Sequence, residues 1–286
     1  MGKIKEKKTD NEFQLTALYG IESASTTKAL TICKSQPLLA LPKTNMTLTE
    51  LKIFDIYLGR INPKDPNITK VVFTKSELCK VLGVSQIRNE DLKRCLKTLM
   101  SSIVEIKSIN RSGKAESMFI SLLSVARITY DDSHFGNVAT VELKCSEEAK
   151  KYIYNIDAVG YLRMNLANVL SFEGRNPYAL YQYLNQNRFR GCWEVGVDEL
   201  KGYLGIPGNY DTFKDFERRV LIPCKAEIEA KTGMKFLYDK IKVGNRIQKV
   251  EFTIIREPKA IDKKPSEVPA HAYYDEDEDE WTVPFN

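Results

Sequence analysis

Two short stretches of the chain concentrate side chains suited to gripping a polyanion. Lys214, Arg218 and Arg219 lie together in one, and Lys93, Arg94 and Lys97 in the other. An arginine fork can donate to two acceptors on a guanine edge, whereas a lysine ammonium suits a phosphate oxygen, which sets register and salt dependence rather than sequence. A third basic group, Lys240, Lys242, Asn245 and Arg246, surrounds Gly244, and a weaker one holds Arg111 and Lys114. Tyr210 and Thr212 precede Lys214 and can donate hydroxyl bonds to phosphate. A plain helix cap by Asp211 or Thr212 accounts for that stretch equally well.

Other chemistry finds no support. The six cysteines are scattered with no C-x-x-C pair, and His134 and His271 stand far apart, so neither a zinc site nor a disulfide framework is expected. A rolling-circle nuclease would need neighbouring histidines to hold a metal beside a nucleophilic tyrosine. Neither a G-x-x-x-x-G-K-[ST] phosphate loop nor a G-x-S-x-G elbow occurs. We expect no catalytic residues, no metal and no cofactor. Apolar runs fall far short of the ~20 residues of a membrane helix. The Lys-rich start carries no apolar stretch of a secretory signal, and Glu6 replaces the Ser or Thr of a myristoylation signal. A reducing, cytoplasmic setting is expected.

Composition agrees with a soluble binding protein. Apolar residues make up 43% and charged residues 28% of 286, an ordinary globular mixture whose length suggests two domains of about 150 residues. The net charge is +5, of which the unbroken run Asp275–Glu280 contributes −6, leaving +11 on the other residues. A basic body with an acidic tail suggests a nucleic-acid partner.

The elements that must position the basic residues come in duplicate. Glu77–Val84 matches Glu199–Ile206 at an offset of 122, each a short amphipathic helix ending at a glycine, Gly83 or Gly205. Thr74 and Asp198 are the expected N-caps. A second helix follows in each copy, Asn89–Ser101 and Asp211–Lys231. Asp91–Leu96 lies over Asp215–Val220, so Arg94 aligns with Arg218. Longer helices precede each pair, at Thr47–Ile61 and Pro177–Phe189, with Pro177 suited to the first helical position. Strands are predicted at Ile103–Ile109, Met118–Ile128 and Val138–Lys144 in the first copy. In the second they fall at Lys235–Val243 and Arg246–Ile255 around the Gly244–Asn245 turn. This order is that of a winged helix-turn-helix. The fold class is α+β, two tandem winged-helix domains related by an internal repeat. We place a flexible segment over 1–21, the two domains over 22–155 and 156–257, and a linker with a disordered acidic tail over 258–286. On the second helices, Leu92, Leu96 and Leu99, and Phe213, Phe216, Val220 and Cys224, form buried stripes. The basic residues then point outward, the arrangement that enters a major groove. A hairpin tip as basic as that of the second copy can follow the DNA backbone or reach into the minor groove.

Thr47–Leu58 with Arg60–Pro63, the stretches Phe73–Gly83 and Phe213–Leu221, Tyr178–Leu184 and the Lys235–Phe252 hairpin resemble the iteron-type plasmid replication initiators, over about residues 30–255. The resemblance implies two winged-helix domains that, as a monomer, bind direct repeats at a plasmid origin. Such binding helps to open neighbouring A+T-rich DNA and brings in a host initiator and replicative helicase. A monomer–dimer equilibrium through the N-terminal domain is also implied, the dimer repressing its own gene. It places Lys214, Arg218 and Arg219 in the DNA-contacting set, and departs from the family at Glu217, where several members are basic. A winged-helix transcriptional repressor and a protein-binding scaffold are the alternatives.

Overall fold

The computed structural model describes residues 31–62, 65–67, 69–109, 112–131, 136–154, 156, 160–255, 273–275 and 280–282. The N-terminal segment, Arg111, both histidines and the Pro-rich linker lie outside them. The chain divides into a body that ends at Ile254 and a C-terminal unit that begins at Ile255.

In the body, strand β1 (Thr31–Ser35) leads through a 3-10 helix (Gln36–Lys43) into α1 (Leu48–Gly59). Thr47 and Glu50 cap α1 reciprocally, and every residue from Glu50 to Leu58 is buried, as befits a central helix apolar on nearly all sides. Then come β2 (Lys70–Thr74), α2 (Lys75–Leu82) and α3 (Asn89–Ser101). Thr74 and Glu77 form the capping box of α2, and Gly83, at φ 71°, closes it in the left-handed conformation. Strands β3 (Ile103–Ile109), β4 (Ala115–Ser121), β5 (Leu123–Tyr130) and β6 (Val138–Cys145) follow, then α4 (Glu147–Ile153), β7 (Tyr161–Asn165) and α5 (Leu166–Ser171). Strand β7 lies beyond the domain boundary expected at residue 155, yet it pairs antiparallel with β1, Thr31 opposite Asn165.

The second module runs α6 (Arg175–Asn187), a 3-10 turn (Arg188–Arg190), β8 (Cys192–Gly196) and α7 (Val197–Tyr203). A continuous helix follows in three stretches: α8 (Phe213–Phe216), a π turn (Glu217–Leu221) and α9 (Ile222–Thr232). Strands β9 (Lys235–Val243) and β10 (Arg246–Ile255) flank Gly244 as the spacing predicts. Two expected details change. The N-cap of α7 is Gly196 rather than Asp198, which sits in the first turn, where a carboxylate favours the positive helix end. Helix α6 starts at Arg175, so Pro177 is its third residue, still among the N–H groups that no helix bond needs.

The strand orders reveal the duplication. The first module has the sheet β2-β6-β5 and the second β8-β10-β9, so in both the strand ahead of the short helix pairs with the last strand of the wing. The wing of the first module is therefore β5–β6, and not the β3–β4 hairpin that Lys114 adjoins; Arg111 lies outside the described residues. The predicted strand Met118–Ile128 breaks at Leu122, which is buried. Ser146 fastens this switch, its hydroxyl donating to Ser121 O at 2.6 Å and its N–H to Leu122 O at 3.0 Å. Strand β4 then pairs with β3 alone, as an inserted two-stranded sheet, and β5 with β6.

One hydrophobic core runs through both modules, from Ile32 to Ile254. A buried polar cluster crosses the seam. Lys34 Nζ lies 2.6 Å from Asp55 Oδ1 and donates to Tyr178 Oη at 2.7 Å and Gln182 Oε1 at 3.1 Å, while Tyr178 donates to Asp55 Oδ2 at 2.7 Å. Burial pushes the Tyr178 hydroxyl well above its ordinary range, with the adjoining Asp55 carboxylate adding to the shift, so it stays a donor. Nearby, Arg175 donates to the carbonyls of Met46 (3.0 Å), Thr44 (2.9 Å), Leu204 (2.9 Å) and Pro42 (2.5 Å). In the C-terminal unit, expected to be disordered, Tyr273–Asp275 pairs antiparallel with Glu280–Thr282, bringing Tyr274 opposite Trp281.

Candidate nucleic-acid interface

Each second helix is held by an apolar stripe that turns its basic side outward. In α3, Leu92, Cys95, Leu96 and Leu99 are buried, Arg94 and Lys97 are exposed and Lys93 is half-buried. In the α8–α9 helix, Phe216, Val220, Leu221, Cys224 and Ile228 are buried, Phe213 is half-buried, and Lys214, Arg218 and Arg219 are exposed. Aligned residues make the same contact: Arg94 lies 2.8 Å from Asp91, and Arg218 lies 3.0 Å from Asp215. Both are surface pairs within one helix, worth about 0–1 kcal/mol and easily exchanged for a phosphate or a base edge. Lys93 is paired with Glu90 at 2.8 Å in the same manner.

The start of α8 resolves the two readings of Thr212. Its hydroxyl oxygen accepts the Asp215 N–H at 3.2 Å and it donates to Asp215 Oδ2 at 2.8 Å, so Thr212 is the cap. The Thr212 hydrogen bond, with Arg218 and Arg219 nearby, holds the Asp215 carboxyl below its ordinary range, so it is ionised at neutral pH. Tyr210 is the one non-glycine with positive φ among the described residues, at 63°. Its ring packs 6.2 Å from Phe216, and its carbonyl accepts Lys201 Nζ at 2.8 Å. Tyr210 thus shapes the approach to the helix as much as its hydroxyl could serve a phosphate. Lys201, 7% exposed, belongs to this support and is missed by any reading of charge as surface.

The π turn is also beyond the periodicity. Ile222 N–H bonds Glu217 O, five residues back. Pro223, next in the chain, has no N–H for the Arg219 carbonyl, and its ring would collide with that carbonyl in a regular helix. One extra residue in the turn relieves both problems. As a result Val220 and Leu221 are buried side by side and Arg218 and Arg219 are exposed side by side.

The wing of the second module leans on this helix through Glu217. Its carboxylate accepts Tyr238 Oη at 3.0 Å and Lys240 Nζ at 2.7 Å. Lys242, Asn245 and Arg246 are exposed at or near the tip. Among the described residues Lys97, Lys214, Arg219, Lys242 and Arg246 form no ion pair. The second module therefore gathers Lys214, Arg218, Arg219, Lys242, Asn245 and Arg246 on one helix and one wing, with Lys240 drawn into the joint between them. In the first module Lys93, Arg94 and Lys97 share α3, and Asn89 at its start donates to Gly136 O in the wing loop. Lys114 adjoins the inserted hairpin instead. No grouping of His, Cys, Asp and Glu that could hold a metal occurs among the described residues, and no helix there is long and apolar enough to cross a membrane.

Two duplicated helix-turn-helix units, each with a three-stranded sheet that ends in a wing, define a tandem winged-helix protein. Residues 31–185 match the family described as Initiator Replication protein, WH1, and residues 196–254 match Initiator Rep protein, WH2. The chain belongs to this family of replication initiators. It is 25% identical over 212 residues to a replication initiation protein of Escherichia coli, a match spanning 71% of this chain and 63% of that relative. Its fold is similar to that of Pi initiator protein, solved in complex with iteron DNA, with a TM-score of 0.65 at 20% identity, covering 80% of this chain and 99% of the other.

Proposed function

We propose that this chain binds double-stranded DNA bearing direct repeats at a plasmid origin and thereby initiates replication. One observation carries the reading: two modules of the same topology present the same outward Asp-x-x-Arg pair, beside Lys97, Lys214 and Arg219, which form no ion pair among the described residues. A surface helix carrying Lys and Arg is commonplace, but the same pair at aligned positions of a duplicated module is what two-site reading of one duplex demands. Arg94, Arg218 and Arg219 are assigned to base edges, and Lys93, Lys97 and Lys214 to phosphates. Lys242, Asn245 and Arg246 on the wing take the adjoining backbone or minor groove, with Tyr210 supporting the helix entry. The family and the solved complex of a relative with iteron DNA support this reading over a plain repressor. The inserted β3–β4 hairpin exposes Ile103, Ile109 and Phe119, and among the described residues no other strand pairs with it. It is assigned as the self-association surface of an autorepressing dimer. Docking of a host initiator and helicase completes the proposal.

The test is footprinting and gel-shift titration across the non-coding DNA beside the chain's own gene. Protection of several same-direction repeats, with plasmid maintenance lost when they are scrambled, is expected. Protection of a single palindrome alone would favour the repressor. Equal affinity for every duplex would defeat sequence reading.

A further inference from the structure

We infer that Glu217 limits the sequence-independent part of DNA affinity, by withdrawing Lys240 from the phosphate backbone. The inference rests on the DNA-binding reading above and adds a residue that weakens non-specific binding. Glu217 sits in the π turn, between the outward Arg218 and the wing, with its side chain only 17% exposed. Both of its oxygens are used, one by Tyr238 Oη and the other by Lys240 Nζ, and Lys240 also lies 5.8 Å from the Phe213 ring centre. The contrast with the helix-surface pairs decides the matter. Asp91 and Asp215 are 44% and 43% exposed and partner arginines on their own helix, so those arginines can swap to DNA while water takes the carboxylate. Glu217 joins two elements in a crevice. Freeing Lys240 would leave its carboxylate poorly hydrated and facing the phosphates.

The effect on binding follows from what each contact reads. A lysine on a phosphate strengthens binding to every sequence alike, whereas arginine on a base edge strengthens only the right one. Neutralising Lys240 and placing a carboxylate near the backbone therefore lowers the affinity for every duplex by the same factor and leaves base reading intact. Burial, with the hydrogen bond to Glu217 adding to it, pushes the Tyr238 hydroxyl up to about 12, so the joint keeps its donor throughout the neutral range.

The experiment measures binding of the full chain to a repeat duplex and a scrambled duplex of equal length over a series of salt concentrations. E217Q keeps an oxygen for Tyr238 and removes the charge. The scrambled duplex should bind on the order of five-fold tighter at 0.15 M salt, with the log–log salt slope steeper by about one. The repeat duplex should gain by the same factor, so that the preference between the two is unchanged. K240Q alone should leave the slope unchanged, and E217Q/K240Q should return it to that of the parent. An unchanged slope in a folded E217Q overturns the inference, as does a slope flattened by about one in K240Q, which would show Lys240 already on a phosphate. Should E217Q lose its near-ultraviolet circular dichroism, the K240Q arm decides. A parent protein with no preference for the repeat duplex would instead refute the DNA reading itself, and this inference with it.

Discussion

Replacing Gly205 by alanine measures how firmly the turn of the second module is seated on the first. Gly205 and Gly208 share a φ of +72°, so either substitution places an L side chain in the left-handed region, at a cost of about 1–2 kcal/mol. Their surroundings differ. A Cβ on Gly208 meets nothing within 4 Å, whereas one on Gly205 falls well inside contact distance of the Pro42 carbonyl oxygen and 2.8 Å from Arg175 Nη2. The carbonyl cannot simply retreat, because Arg175 holds it together with those of Thr44, Met46 and Leu204. Overpacking of this kind adds about 1–3 kcal/mol. Gly208→Ala should therefore lose about 1–2 kcal/mol and Gly205→Ala about 2–5 kcal/mol. Thermal melts followed by circular dichroism distinguish them, since each kcal/mol shifts the midpoint by about 2–4 °C in a body of this size. Equal shifts for the two variants would show that the close approach of Gly205 to Pro42 carries no energy, and would refute the reasoning.

Arg218→Ala should cost about 1–3 kcal/mol on the repeat duplex and little on a scrambled one, while Lys97→Ala should weaken both and flatten the salt slope by about one; gel-shift titration at several salt concentrations separates them. Lys34→Met leaves the Asp55 carboxylate buried without its cation and should destabilise the body by about 3–5 kcal/mol, with Asp55→Leu added to it recovering part of the loss, as urea denaturation will show. Glu77 titrates below its ordinary value: burial pushes its carboxyl up, but hydrogen bonds from Thr74 and the Arg60 guanidinium outweigh that. Its contribution to stability is thus complete above the ordinary carboxylate value of about 4.3 and is lost as pH falls through the lower, folded one. Glu77→Gln should flatten this acid limb in stability curves measured between neutral pH and the acid range.

Where structure depends on neighbours in the chain, the residues announce it. Thr74, Glu77 and Gly83 mark both ends of α2, α3 spans the predicted Asn89–Ser101, and β9 and β10 meet at Gly244 as the two-residue turn requires. The basic faces are equally legible, because a 3.6-residue period that buries Leu92 and Leu96 must expose Arg94 and Lys97. What escapes the eye depends on distant partners. Leu122 looks like the middle of a strand until Ser146 is seen to hold the switch there, so the first wing cannot be located from hydrophobic pattern alone. Lys34 and Lys201 look like surface lysines, but Lys34 is buried among acceptors far along the chain, and Lys201 beneath the turn that brings the Tyr210 carbonyl back to it. Glu217 reads as a stray acid on a basic helix until the wing folds back onto it. Pro223 is the one local sign of the π turn, and its meaning depends on the helix continuing through it.

The pairing of β1 with β7 bears on how the protein is made. Thr31 finds its partner only at Asn165, so well over a hundred residues must leave the ribosome before β1 has an edge to join. In the meantime Ile32, fully covered in the finished body, lacks the cover that β7 and the elements after it supply. Closing so long a loop is slow compared with forming α1 or α2, so the nascent chain spends its emergence with β1 unsatisfied. Chaperone occupancy of that segment on stalled chains, relieved once residue 165 is clear of the tunnel, is the signature this topology should leave on synthesis.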